Sequence, residues 1–235
     1  MTRIASYRKY ATDTQPRYDV EAYGSTHKRA PKQALIEVPQ TLSEITGPRF
    51  GRAALPAGDQ DLTQFDGGAA VGERIVVSGR ILDEDGKPVR DALVEIWQAN
   101  AAGRYLHAGD QHDAPLDPHF SGTGATVSDN DGRYRFMTIK PGAYPWRNHH
   151  NAWRPAHIHF SLFGNAYAQR LVTQMYFPGD PLLAFDPIFN STADAAARER
   201  LIAGFEWDTT EPEYALGYHF DFVLRGHDQT PVERR

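Results

Sequence analysis

The chain has 235 residues, a formal charge of −5 and a pI near 6.0, so it can bury a sizeable core and has no general attraction for nucleic acid or anionic membranes. It contains no cysteine, which excludes disulfides, thiolate zinc sites, iron–sulfur clusters and cysteine nucleophiles. Any metal must be held by His, Tyr, Asp, Glu or backbone oxygen, a donor set suited to a harder ion. No stretch approaches the roughly 20 apolar residues of a membrane span. The N-terminal MTRIASYRKYATDTQPRYDVEAYG lacks the apolar core of a signal peptide, so a cytoplasmic protein is expected.

Residues 1–70 are rich in Pro, Gly and polar side chains and read as an irregular N-terminal arm used for packing and subunit contacts. One short helical turn is expected at Thr41–Ile45. Tyr7, Tyr10, Tyr18, Tyr23, Phe50 and Phe65 argue against disorder, because disordered chains are poor in aromatics. Residues 71–235 change to short strands. GERIVVSGRIL, the turn DEDGKP and VRDALVEIWQAN read as a hairpin. SDNDGRYRFMTIKPG carries a second Asp-Gly signal and sets Tyr134 and Phe136 on one face. HIHFSLFG, RLVTQMYF and GYHFDFVLRG read as further strands. One short C-terminal helix is predicted over Ser191–Phe205, with Ser191 as N-cap and Asp194 three residues on. The tail after Arg225 reads as surface. The whole is an all-β chain, a sandwich or barrel.

The most informative segment is WRPAHIHF, Trp153 to Phe160. Side chains two apart on a strand leave from the same face, so His157 and His159 point one way while Ile158 and Phe160 point the other. Two converging imidazoles are half a metal site. His149 and His150 sit in a loop-like NHHN run and read as surface residues, and His219 as an ordinary half-buried histidine. His112, Asp113, Asp117 and His119 lie in a proline-containing loop and read as solvated. Tyr105 and Tyr144 follow strands in Gly/Pro-rich turns, where a rigid scaffold tends to present function. Taken alone, each tyrosine reads as a packing residue.

GRYLH, PGAYPW and WRPAHIHF, in that order, resemble the ligand set of the intradiol ring-cleaving dioxygenases, and the preceding VSGRILDEDGKPVRDALVEIWQANAAGRY is similar as well. The resemblance implies a prealbumin-like β-sandwich and a non-haem Fe(III) held by Tyr105, Tyr144, His157 and His159. A phenol is a poor anion at neutral pH, and a trivalent cation reverses that preference. The likeness also implies that Tyr144 yields to substrate. It casts Arg154 as stabiliser of negative charge on the ring, Gln174 as a polar catalytic neighbour, Trp146 and Ile188 as pocket walls, and Tyr23 as a contact for the substrate carboxylate. Trp97 reads as either a neighbour of the ligands or core. The arm, YGSTHKRAPKQAL and ITGPRFGRAALPAGDQDLT, resembles the iron-bearing β chain of the family's two-chain branch. That branch cleaves protocatechuate (3,4-dihydroxybenzoate) with O2 to 3-carboxy-cis,cis-muconate, which implies a homologous α subunit as partner. Alternatives are a catechol or hydroxyquinol 1,2-dioxygenase, a non-catalytic β-sandwich binding module, and a zinc hydrolase built on the histidine pair.

Overall fold

Thirteen strands run through the described residues of the computed structural model, which are 12–36, 38, 41–42, 55–56, 58–151, 153–164 and 170–234. A small hairpin, β1 (Gln64–Phe65) and β2 (Gly68–Ala69), precedes the long β3 (Arg74–Leu82). Then come β4 (Leu93–Gln98), β5 (Thr123–Val127), β6 (Arg133–Ile139), β7 (Tyr144–Pro145), β8 (Trp153–Arg154), β9 (His157–Phe163) and β10 (Arg170–Tyr176). The series ends with β11 (Gly204–Phe205), β12 (Leu216–His219) and β13 (Phe222–Val223). Two short helices, α1 (Thr26–Arg29) and α2 (Ala195–Glu199), flank this β framework, and among the described residues no helix is long and apolar enough to cross a membrane.

Strands β10-β9-β4-β5 form one antiparallel sheet. In the other, β3 has β6 antiparallel on one side, and β12 followed by β13 parallel on the other, with β11 outside β12. The inner faces meet in a single apolar cluster, Ile96, Ile158 and Phe160 from the first sheet against Val77, Phe136 and Phe222 from the second. Phe160 lies 5.8 Å from Phe136 and 5.0 Å from Phe222, ring centre to ring centre. Burying a side chain of this size contributes about 1.5–3 kcal/mol, so the interleaved aromatics hold the two layers together. The expected β-sandwich is present, and Tyr134 and Phe136 do share a buried face.

The expected hairpin is not. DEDGKP makes its turn, but Asp91, at φ 55°, re-aims the chain, and β3 and β4 enter different sheets. Buried Ser128 pins the crossing, accepting from the Ala92 N–H at 2.9 Å and donating to the Val89 carbonyl at 2.7 Å. Alternation specifies which face of a strand is buried, not which neighbour it pairs with. The helix is also shorter than predicted. Asp194, not Ser191, is its N-cap, accepting from the Ala197 N–H at 2.7 Å, while Gly204–Phe205 is drawn away to pair with β12. The tail after Arg225 is not surface either, since Gln229 and Thr230 are buried. Of the turn expected at Thr41–Ile45, residues 43–45 lie outside the described residues, as do Tyr7, Tyr10 and Phe50.

One five-residue turn recurs three times, at Asp83–Lys87, Asn100–Arg104 and Asp129–Arg133. In each, the first side chain accepts from the backbone N–H groups two and four residues on, at 2.8–3.0 Å. The first N–H donates to the fifth carbonyl at 2.9 Å, and the fourth residue is a glycine with φ 75°, 78° or 72°. The side-chain oxygen replaces a backbone acceptor, and the left-handed glycine completes the reversal. At Gly132 a Cβ would also fall 2.7 Å from the Ile81 carbonyl oxygen. Gly132→Ala is expected to lower stability by about 1–3 kcal/mol, measured as a shift of the urea midpoint. An unchanged midpoint would mean that the turn adjusts without strain.

Candidate active site

Because β9 sends Ile158, Phe160 and Leu162 into the core, His157 and His159 stand on the outer face of the four-stranded sheet. Both are nevertheless buried, at 2% and 5% exposure. The sheet register supplies their neighbours. Trp97 of β4 lies opposite His159, its ring stacked on the imidazole at 4.9 Å and 3°, so Trp97 belongs to this outer face and not to the core. From β10, Gln174 lies opposite His159 and Tyr176 opposite His157.

Tyr105 directly follows the Asn100–Arg104 turn. Gly103 in that turn packs against the Ala143 backbone so closely that a Cβ would lie 2.1 Å from the carbonyl oxygen. The two tyrosine-bearing loops therefore touch, and Tyr105 meets Tyr144 edge to face at 5.2 Å. Tyr144 is on β7, directly across a two-residue ladder from Arg154 on β8. Tyr144 lies 5.4 Å from His157, Tyr105 lies 6.4 Å from His159, and the imidazoles are 4.7 Å apart, all between ring centres. The four rings converge on one place.

Their polar atoms are arranged for a cation. His157 Nδ1 lies 2.7 Å from the Pro155 carbonyl and His159 Nδ1 lies 3.0 Å from a Glu233 carboxylate oxygen. Both neighbours can only accept, so each Nδ1 carries the proton and each Nε2 presents a lone pair. The two Nε2 atoms lie 3.2 Å apart, on the side of the imidazoles turned towards the tyrosines and Arg154. The Tyr105 residue is only half-buried, but its hydroxyl is shut off from solvent and has no hydrogen-bond partner among the described residues. Burial pushes that phenol well above its usual pKa. Tyr144 adds to the shift while standing outside ordinary hydrogen-bond geometry, and Arg154 opposes it. An orphaned buried hydroxyl costs about 1–3 kcal/mol. A multivalent cation reverses the penalty by favouring the phenolate. These residues therefore fit a metal. Among the described residues no group of three or more His, Cys, Asp and Glu side chains could hold one, and the tyrosines are the further side-chain donors beside the histidine pair.

Arg154 is 2% exposed and Asp186 fully buried. The guanidinium donates to Asp186 through Nε at 3.1 Å and Nη2 at 2.8 Å, and Nη2 also reaches Gln174 Oε1 at 2.7 Å and the Tyr176 hydroxyl at 3.0 Å. Nη1 is turned towards the rings, 3.1 Å from His157 Nε2 and 3.5 Å from the Tyr144 hydroxyl. Burial alone lowers the guanidinium pKa, but Asp186, with Tyr176 and Tyr144, outweighs it and holds the value well above normal. Arg154 is a permanent cation.

A cavity of about 1130 Å³ opens onto Tyr105, Tyr144, His159 and Arg154, and Tyr23, Trp146 and Ile188 line its walls. Tyr23 meets Trp146 edge-on at 4.8 Å. The fold thus gathers the residues singled out in the sequence. Gln174 and His157 do not line the cavity, Gln174 lying behind Arg154 and His157 beside its Nη1. His149 packs on Trp146 and His150 is exposed. His219 is half-buried between Glu206 and Asp221, at 3.6 and 3.1 Å, and His112 and His119 lie in an irregular loop. Asp186, Tyr176 and Glu233 escaped the sequence reading. The only local signal for Asp186 was its place two residues before Ile188.

Residues 45–226 match the family model described as Dioxygenase, and residues 8–41 match that described as Protocatechuate 3,4-dioxygenase beta subunit N terminal. The chain belongs to the intradiol ring-cleaving dioxygenase family. It is 60% identical over 223 residues to the protocatechuate 3,4-dioxygenase beta chain of Burkholderia cepacia, covering 94% of each chain. Identity to the protocatechuate 3,4-dioxygenase alpha chain of Pseudomonas putida is 31% over 202 residues, 82% of this chain and 95% of that one. The solved 3-chlorocatechol 1,2-dioxygenase of Rhodococcus opacus matches with a TM-score of 0.55 and 25% identity, over 79% of this chain and 72% of that one.

Removing one partner of a buried ion pair strands the other charge. Asp186→Ala is therefore expected to destabilise the protein by about 3 kcal/mol in urea unfolding. A loss below about 1 kcal/mol, the range of a surface pair, would mean that solvent reaches Arg154.

Proposed function

We propose that the chain is the iron-bearing β subunit of a protocatechuate 3,4-dioxygenase, with Tyr105, Tyr144, His157 and His159 holding a non-haem Fe(III). The observation that carries this reading is the convergence of two phenols and two imidazoles beside a buried, permanently charged arginine. Ferric iron, when bound, would hold the phenols as phenolates, chelate both catechol oxygens and draw electron density from the ring, preparing it for dioxygen. The net reaction joins protocatechuate and O2 to give 3-carboxy-cis,cis-muconate, with both oxygen atoms in the product.

The protein residues have separable tasks. Tyr105 is anchored, its backbone N–H donating to Asp110 at 2.7 Å, which suits a ligand that stays. Tyr144 sits on a two-residue ladder at the cavity edge, which suits a ligand that yields to the diol. Arg154 Nη1 is the guanidinium nitrogen left facing the rings, fixed where negative charge would grow on the substrate. Gln174 and Tyr176 hold the guanidinium in place behind it. Trp146 and Ile188 form apolar walls for a flat ring, and Tyr23 offers a hydroxyl for the ring carboxylate. A homologous α subunit as partner is supported by the β-type arm and by the likeness to an α chain.

The substrate is tested by oxygen uptake of the chain co-expressed with an α-type partner, supplied with protocatechuate, catechol or hydroxyquinol. The expected order places protocatechuate highest in kcat/KM, and a preference for either of the others overturns the assignment. The role of Arg154 is tested separately. Arg154→Ala should lower kcat by about 10²–10³-fold while most iron is retained. Iron lost in proportion to activity would make Arg154 a structural residue.

A further inference from the structure

The carboxylate of Glu233 has no place in the roles assigned so far, yet its side chain is 4% exposed and lies 3.0 Å from Nδ1 of His159. It reaches this position from the C-terminal tail, which runs beside β10. The Glu233 N–H donates to the Val172 carbonyl at 2.7 Å, and the Thr173 hydroxyl donates to the Pro231 carbonyl at 2.7 Å. The N-terminal arm holds the tail from the other side. Val232 N–H donates to Gln15 Oε1 at 2.9 Å, and Arg234 Nε donates to the Pro16 carbonyl at 2.8 Å.

A carboxylate is not buried against an imidazole without consequence. It demands the Nδ1–H tautomer, which directs the Nε2 lone pair of His159 at the other three rings. Trp97, stacked at 4.9 Å and 3°, fixes the ring plane, so carboxylate and indole together leave the imidazole one orientation. His157 receives a different treatment, since its Nδ1 meets the uncharged Pro155 carbonyl. A charged acceptor on Nδ1 strengthens an imidazole donor more than an uncharged one does.

We propose that Glu233 is a positioning residue for the metal centre. Through His159 it orients the ligand and raises its donor strength, so the C-terminal tail helps to set iron affinity and the preference for Fe(III) over Fe(II). This inference rests on the iron reading above, and its test keeps the two apart. Iron affinity by chelator competition and the Fe(III)/Fe(II) midpoint potential are measured for the α-partnered protein as wild type, Glu233→Gln and Glu233→Ala. Glu233→Gln keeps the side-chain shape and an oxygen acceptor but removes the charge. It should retain iron with a more positive potential, a shift that mere docking of the tail would not produce. Glu233→Ala should weaken iron binding about 10–100-fold. Wild-type affinity and potential in both variants would overturn the proposal while leaving the centre itself intact. A wild-type protein that takes up no iron would sink both.

Discussion

Strand β9 carries a constraint from which much of the molecule follows: its side chains alternate, so it cannot serve the core without presenting an equal number of residues to the opposite face. Ile158, Phe160 and Leu162 go inward, and His157, His159 and Ser161 go outward. In an ordinary sandwich that outer face meets water. Here every residue from His157 to Leu162 is buried. The covering is built from segments with little regular structure, namely the tyrosine-bearing loops, the Asp186–Ser191 segment, the N-terminal arm and the C-terminal tail. Their cross-links are mostly backbone hydrogen bonds and polar side-chain contacts, such as Arg17 N–H to the Ser191 carbonyl at 3.0 Å and Asn148 to Ser25 at 2.9 Å.

Covering a polar face creates an electrostatic problem, because each buried polar group must find a partner. Arg154 solves its share through Asp186, Gln174 and Tyr176. The Tyr105 hydroxyl has a poorer solution within the described residues. A buried phenol with no hydrogen-bond partner among the described residues is a costly arrangement for a static core and a sensible one for a cation site.

The sandwich, the outward pairing of His157 with His159, and the gathering of Tyr105 and Tyr144 could be read from alternation, turn residues and family likeness. What could not be read is instructive. The DEDGKP turn was visible, but the switch of sheets at Asp91 depends on a positive φ and on Ser128, which lies 37 residues further along. NAAGR is the same turn as DEDGK and DNDGR, with Asn in place of the leading Asp, and it is the copy that delivers Tyr105. Asp194 outcompeted Ser191 as a cap because its carboxylate reaches the Ala197 N–H. Asp186 and Glu233 look like solvated carboxylates when read locally, and only long-range contacts turn them into buried partners of Arg154 and His159. Charge in a sequence marks solubility by default, and burial is a property of what folds over it.

Two tyrosines and two histidines are proposed to hold ferric iron where a catechol can reach it. The most direct measurement is the visible absorption spectrum of the aerobic protein co-expressed with an α-type partner, before and after anaerobic protocatechuate. A broad tyrosinate-to-Fe(III) band that moves to longer wavelength when the substrate binds is the expected result. A metal-replete but colourless protein would contradict it, because neither Tyr105 nor Tyr144 could then be a ligand to Fe(III).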